Sequence, residues 1–244
     1  NGANLPCNID RFQRAKAHNR ADAGADRGSG RDSHCFIGLV GENGTGKTTL
    51  VRLLLGGLEP TEGSVRLGTN LKVAYFDQLR GELDLTKNAL DNLSEGREFI
   101  DINGQSKHVL GYLQEFLFTP ERARSPVRVL SGGERARLLL AKLFSKPANI
   151  LVLDEPTSGL DFAASFDYLE RVRRLSAAGH NIVIVTHHLN EIPPEVNRVI
   201  LLQEGSIVAD GRKADVLTRT QLSEVYGVPV RVAEIDGFFL AYPG

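Results

Sequence analysis

Eight consecutive residues, Gly41-Glu42-Asn43-Gly44-Thr45-Gly46-Lys47-Thr48, have the spacing G-x-x-x-x-G-K-[ST]. Glycines there let backbone N–H groups converge on phosphate oxygens without a Cβ in the way. The helix expected next adds its positive N-terminal end. Such a loop holds a polyphosphate with Gly41, Asn43, Gly44, Gly46, Lys47, Thr48 and Thr49. Lys47 reaches the β- and γ-phosphates, and the Thr48 hydroxyl binds Mg²⁺.

Downstream, the apolar run Ile150-Leu151-Val152-Leu153 ends in Asp154-Glu155. Asp154 stands where a buried strand leaves the core, a place from which a carboxylate holds Mg²⁺ through its water shell. Glu155 is the candidate that orients or deprotonates an attacking water. Alone, an Asp-Glu pair reads better as a solvated turn; the phosphate loop upstream turns the balance to the chemical reading. Between the two lies Leu130-Ser131-Gly132-Gly133-Glu134, a glycine turn ahead of a helix. The N–H groups of Ser131, Gly132 and Gly133, with that helix's dipole, form a second anion site.

In this order the three motifs resemble the ABC-type ATPases, from about Phe36 to Gly205. The resemblance implies ATP as substrate, Mg²⁺ as cofactor and hydrolysis to ADP and phosphate. It implies that the Ser131 turn faces the γ-phosphate held by another copy, so that a second ABC domain completes each site. Gln78, in Val73-Ala74-Tyr75-Phe76-Asp77-Gln78, matches the family's Q-loop glutamine, a Mg²⁺ ligand and reporter of nucleotide state. His187 matches the switch histidine that contacts the γ-phosphate, with His188 as a rival, and Ser158-Gly159-Leu160-Asp161 resembles the D-loop. The family also sets two strands and an adenine-stacking aromatic ahead of the phosphate loop. Phe12 is the one aromatic available there, and its surroundings do not read as that strand.

Residues 67–78, 108–118 and 126–144 resemble the ABC-F branch, specifically its Uup-type members, which lack a membrane domain and associate with the ribosome or nucleic acid. Residues 186–211 look more like the cytosolic ATP-binding subunit of a membrane transporter, which would need a permease subunit as partner. A third reading, a nucleotide-binding switch that hydrolyses little, follows from the weak N-terminal segment. With no initiator Met, the chain reads as a fragment or a mosaic of two relatives.

Composition bounds these readings. The chain has 244 residues, 41% hydrophobic and 24% charged, the profile of one globular domain with a possible subdomain. A net charge of −1 gives no overall argument for nucleic acid or membrane. One stretch differs: Glu121 to Lys146 holds seven Lys or Arg against two Glu, either a solvated helix face or a contact surface for RNA or a partner. Cys7 and Cys35 make neither a disulfide framework nor a metal site. With no signal-peptide pattern and no apolar run of membrane-spanning length, a cytoplasmic protein is expected, peripheral to a membrane if it serves a transporter.

The elements that must position these residues follow from hydrophobic periodicity. Strands are expected at 35–40, 65–67, 72–76, 149–153 and 181–186, with a hairpin over 198–209. Helices are expected at 48–55, 83–93, 108–118 and 133–144, with a tight turn at Asn103-Gly104. Phe162, Phe166, Leu169 and Val172 would form the apolar face of a further helix. Strands alternating with helices predict an α/β, P-loop NTPase-like, mostly parallel sheet with helices on both faces and a small helical subdomain at about 83–145. Residues 1–34 read as poorly patterned or disordered, 35–213 as the ABC domain and 214–244 as a C-terminal extension.

Overall fold

A computed structural model describes residues 35–65, 72–76, 81–102, 104–158 and 160–244. Along the chain run β1 (Phe36–Val40), α1 (Lys47–Leu54), β2 (Val73–Tyr75), α2 (Ala89–Ser94), β3 (Phe99–Ile102), β4 (Gln105–His108), α3 (Val109–Gln114), α4 (Pro120–Arg124), α5 (Gly132–Ser145) and β5 (Ile150–Asp154). They are followed by α6 (Phe162–Ala177), β6 (Asn181–Thr186), β7 (Arg198–Gln203), β8 (Ser206–Arg212), α7 (Lys213–Val216), α8 (Arg219–Tyr226), β9 (Val230–Ile235) and β10 (Phe238–Pro243). The fold is α/β with a mostly parallel sheet, as the alternation of strand and helix predicts. The chain divides into two compact units, one joining the first described segment to residues 181–244 and the other lying between them.

In the first unit β1 lies between β6 and β7, parallel to both, and β8 closes the edge antiparallel to β7. Phe36, Leu39, Val40, Ile182, Ile184, Val185 and the run 199–202 are all buried. A strand covered on both faces has no polar side to alternate with, so β1, β6 and β7 read as continuous apolar runs. The β7–β8 turn places Glu204 and Gly205 at φ 47° and 75°, the paired left-handed residues of a tight hairpin. Residues 214–244, to which the sequence assigned no pattern, form α7, α8 and the β9–β10 hairpin. Thr218 caps α8, and Gly227 ends it at φ 64°. The Lys213 ammonium donates to the carbonyls of Pro193, Pro194 and Gly237 at 3.0, 3.1 and 2.8 Å, tying the hairpin to the loop ahead of β7.

In the second unit β2 pairs in parallel with β5. Two expectations change here. The helix expected over 83–93 is only α2, because Thr86 donates twice to Asp84 in a turn and the Asn88 side chain caps the helix just before Ala89. The helix expected over 108–118 stops at Gln114, and Leu117 sits left-handed at φ 60°. Between these helices, where a tight turn was expected at Asn103-Gly104, β3 and β4 pair as an antiparallel hairpin with Gly104 at φ 81° in its loop. Asn103 lies outside the described residues, as do residues 66–67 of the strand expected at 65–67.

The α6 face is also revised. Leu169 and Val172 are buried as expected, together with Ala164 and Tyr168, but Phe162 is 81% exposed and Phe166 59%. The two phenylalanines are one turn apart and touch with their rings tilted at 57°, centroids 4.7 Å apart. The basic run from 121 to 146 is largely engaged within its own unit. Arg122 pairs with Glu134, and Lys142 and Lys146 both meet Glu82. Arg135 donates to the carbonyls of Val127 and Arg128, and Arg137 lies over the Phe118 ring.

Candidate nucleotide site

The phosphate loop leaves β1 at Val40 and enters α1 at Lys47. Its glycines are there for conformation and space. Gly44 and Gly46 take φ 84° and 92°, and a Cβ on Gly41 would lie 2.5 Å from the Leu202 carbonyl oxygen and 2.7 Å from Thr45 Oγ1. Thr45, which the sequence reading did not single out, is buried and braces the loop: its hydroxyl donates to the Glu42 carbonyl at 2.9 Å. Its own carbonyl accepts from the Gly205 N–H at 3.0 Å, so the β7–β8 turn buttresses the loop from behind. Only spatial proximity reveals that partner, 160 residues along the chain.

Lys47 is 6% exposed. Its ammonium donates to the Gly41 and Glu42 carbonyls at 2.8 and 3.0 Å, holding the cation at the mouth of the loop. Gly46 precedes α1 without capping it by a side chain, so the first-turn N–H groups form an electropositive end in the manner of a phosphate site. Glu42, Asn43 and Gly44 are exposed, Thr48 is half-buried at the helix start, and Thr49 is exposed beside it. A buried cation, an uncapped helix N-terminus and a hydroxyl fit a polyphosphate.

His187 follows β6 in the same unit. Its turn is fixed by a buried Thr186 hydroxyl that donates to the buried Glu191 carboxylate and accepts from the His188 N–H at 2.9 Å. The His187 and His188 rings lie 3.8 Å apart, His187 half-buried and His188 exposed. One groove of about 840 Å³ brings His187 together with Glu42 of the phosphate loop, and the C-terminal Tyr226, Leu240 and Tyr242 complete its wall. Burial, and next the Glu42 carboxylate, push the Tyr226 phenol up from its ordinary pKa.

The second unit carries the acids and the glycine turn. Asp154 ends β5 at 9% exposure, and its Oδ2 accepts from the Tyr75 hydroxyl at 2.7 Å. Glu155 follows in the left-handed region at φ 44°, a conformation costing about 1–3 kcal/mol in a non-glycine residue and typical of functional sites. This turn swings the chain out of the strand immediately after Asp154. The Asp154 carboxylate offers hard oxygen donors, which suit Mg²⁺. Gln78, the remaining candidate ligand, and Gly159 of the D-loop segment lie outside the described residues. Asp161 caps α6 by accepting from the Ala164 N–H at 2.8 Å.

Ser131 and Gly132 are exposed ahead of α5, with Gly133 half-buried. The Ser131 hydroxyl accepts from the Glu134 N–H at 3.2 Å, while the Glu134 carboxylate accepts from the Ser131 N–H at 2.7 Å, a reciprocal capping box. Arg122 of α4 donates to both Glu134 oxygens, at 2.6 and 2.5 Å. These bonds, the arginine's first and then that of the Ser131 N–H, hold the Glu134 carboxyl down to about 2. A Cβ on Gly133 would meet Ala164 of α6 at 3.1 Å, which explains glycine there. The turn's geometry is therefore set by Glu134, the last residue of the motif, and by Arg122, which the sequence reading did not place in the site.

Fold and loop together define a P-loop nucleoside-triphosphatase. The chain belongs to the ABC transporter family, whose pattern it matches over residues 33–158; it is an ABC-type ATPase domain that binds ATP with Mg²⁺. It is similar to the ATP-binding protein Uup-like of Haemophilus influenzae, 55% identical over 151 residues, covering 62% of this chain and 32% of that protein. It is also similar to the Nod factor export ATP-binding protein I of Ralstonia nicotianae, 34% identical over 213 residues, covering 81% of this chain and 65% of that protein. Against the Uup-like protein, then, the chain spans about a third of the relative's length. Among solved structures, an inward-facing metal-chelate type ABC transporter shares the fold, with a TM-score of 0.66 at 24% identity over 85% of this chain and 84% of that one. Among the described residues no helix is long and apolar enough to cross a membrane.

Proposed function

We propose that this domain hydrolyses ATP as part of a soluble, cytoplasmic ABC-F-like protein that couples the reaction to a ribosome or nucleic acid. The observation that carries the reading is the 55% identity to a Uup-like protein over 151 residues. In the mechanism, the N–H groups of residues 41–46 and the Lys47 ammonium bind the β- and γ-phosphates. Thr48, Asp154 and Gln78 would hold Mg²⁺, which when bound neutralises charge on the phosphates. Glu155 accepts a proton from water as its oxygen attacks the γ-phosphorus in line, and the bond to the ADP oxygen breaks. His187 contacts the γ-phosphate from the β6 end.

The Ser131, Gly132 and Gly133 N–H groups close on the γ-phosphate of a second ABC domain, so each site is shared between copies or between paired domains. Glu134 and Arg122 keep that turn in shape. Sedimentation of the Glu155→Gln protein with ATP, with ADP and alone tests the pairing: a dimer is expected with ATP only. Ser131→Arg places bulk at the docking point and abolishes that dimer. Co-sedimentation of the Glu155→Gln protein with ribosomes tests the coupling, and ATP-dependent binding is expected. A monomer in all three nucleotide states overturns self-pairing, and absence from the ribosome pellet overturns the ABC-F reading.

A second reading, the ATP-binding subunit of a membrane transporter acting at the membrane surface with a permease, is favoured by the match that extends over 81% of this chain. Reconstitution separates the two, since this reading expects ATPase activity to respond to a permease and not to ribosomes.

A further inference from the structure

Tyr75 and Asp154 are the last residues of two strands that pair side by side. Tyr75 stands opposite Val152 in the parallel β2–β5 register. Val152 and Asp154, two residues apart, project from the same face of β5. A diagonal neighbour of that kind is about 7 Å away, within reach of an aromatic side chain and beyond most others. The phenol spans it: the Tyr75 hydroxyl donates to Asp154 Oδ2 at 2.7 Å, with Tyr75 6% and Asp154 9% exposed. A buried carboxylate at a strand terminus is thus held in one orientation by a rigid donor on the neighbouring strand.

We propose that Tyr75 is a positioning residue for the divalent cation, acting through Asp154. The inference rests on the reading that Asp154 holds Mg²⁺. Mg²⁺ demands near-octahedral geometry and keeps most of its water, so an acidic residue that grips it through that shell must present its oxygens in a set direction. Hydrogen-bonded partners of metal-binding carboxylates provide that direction, and their removal typically costs 10–100-fold in metal affinity or activity. A tyrosine serves here because its ring keeps the donor in place within a packed strand pair, whereas a flexible donor would have to be ordered first.

The test titrates Mg²⁺ into the full chain with a fluorescent ATP analogue and compares parent, Tyr75→Phe, Asp154→Asn and the double variant. Tyr75→Phe keeps the ring and removes one oxygen. Its analogue affinity without Mg²⁺ should equal the parent's, which also verifies that the site has folded. Half-saturation by Mg²⁺ should then rise about 10-fold or more. In the Asp154→Asn background the same change should add nothing, because its route to the metal is already gone. A hydroxyl that merely satisfies a buried ring would alter thermal stability and leave the Mg²⁺ titration unmoved. If Asp154→Asn raises the Mg²⁺ requirement and Tyr75→Phe does not, or if the two effects add, the positioning role is overturned and the Asp154 assignment stands. If neither variant shifts the titration, the Asp154 assignment falls and the inference with it.

Discussion

Lys47→Ala tests the nucleotide site most directly, and the structure sets the size of the effect. The lysine ammonium already makes two hydrogen bonds to neutral acceptors, the Gly41 and Glu42 carbonyls at 2.8 and 3.0 Å. Gripping a polyphosphate exchanges these for bonds between two charged groups. A hydrogen bond involving one charged partner is worth about 1.5 kcal/mol at the low end, and one to an anion about 3. Two such exchanges leave a net gain of roughly 3 kcal/mol, or roughly 10²-fold in Kd at 1.4 kcal/mol per decade. Because Lys47 is only 6% exposed, little of that contribution is lost to solvent screening. Isothermal calorimetry with ATP and Mg²⁺ measures it directly. The variant also leaves two carbonyls short of a donor, so thermal unfolding of both proteins must be recorded in parallel and the affinities compared at a temperature where both are folded. An affinity within about 3-fold of the parent, under 1 kcal/mol, would refute the placement of the phosphate at this loop.

Three further outcomes are expected. Glu155→Gln should retain ATP binding and lose about 10²-fold or more in turnover, read by phosphate release, because the amide cannot take the proton. Gly41→Ala should destabilise the protein by roughly 1–3 kcal/mol in denaturant titration and weaken ATP binding, because the new methyl would meet a backbone carbonyl at 2.5 Å that cannot swing away. Glu134 has a depressed folded pKa, so its contribution to stability is complete above its ordinary value of 4.5 and is lost as pH falls toward about 2. Glu134→Gln should remove that acid-side slope in unfolding free energy against pH, and Arg122→Ala should shift it to higher pH.

Much of the candidate nucleotide site could be proposed from the sequence because its groups are contiguous. A phosphate loop works through successive backbone N–H groups and the helix that follows, so Gly41 to Thr48 states its geometry in eight letters. The strands β1, β5, β6 and β7 were legible for a related reason: burial on both faces makes each an unbroken apolar run. Short-range periodicity failed where a local bond outcompeted it. Thr86 and Asn88 turn and cap the chain ahead of α2. The C-terminal α8 and β9–β10 carry weak patterns because much of the hairpin faces solvent.

The sequence by itself determined the class of chemistry, since residue types at fixed short spacing suffice to cradle a phosphate. Tertiary structure alone decided what braces those residues. Gly205 behind the phosphate loop, Arg122 against Glu134, and Tyr75 on Asp154 are contacts between residues 160, 12 and 79 positions apart. It also decided that Phe162 and Phe166 face outward although their spacing matches a core stripe. Helical periodicity says which residues share a face; only the packed neighbours say which face is covered.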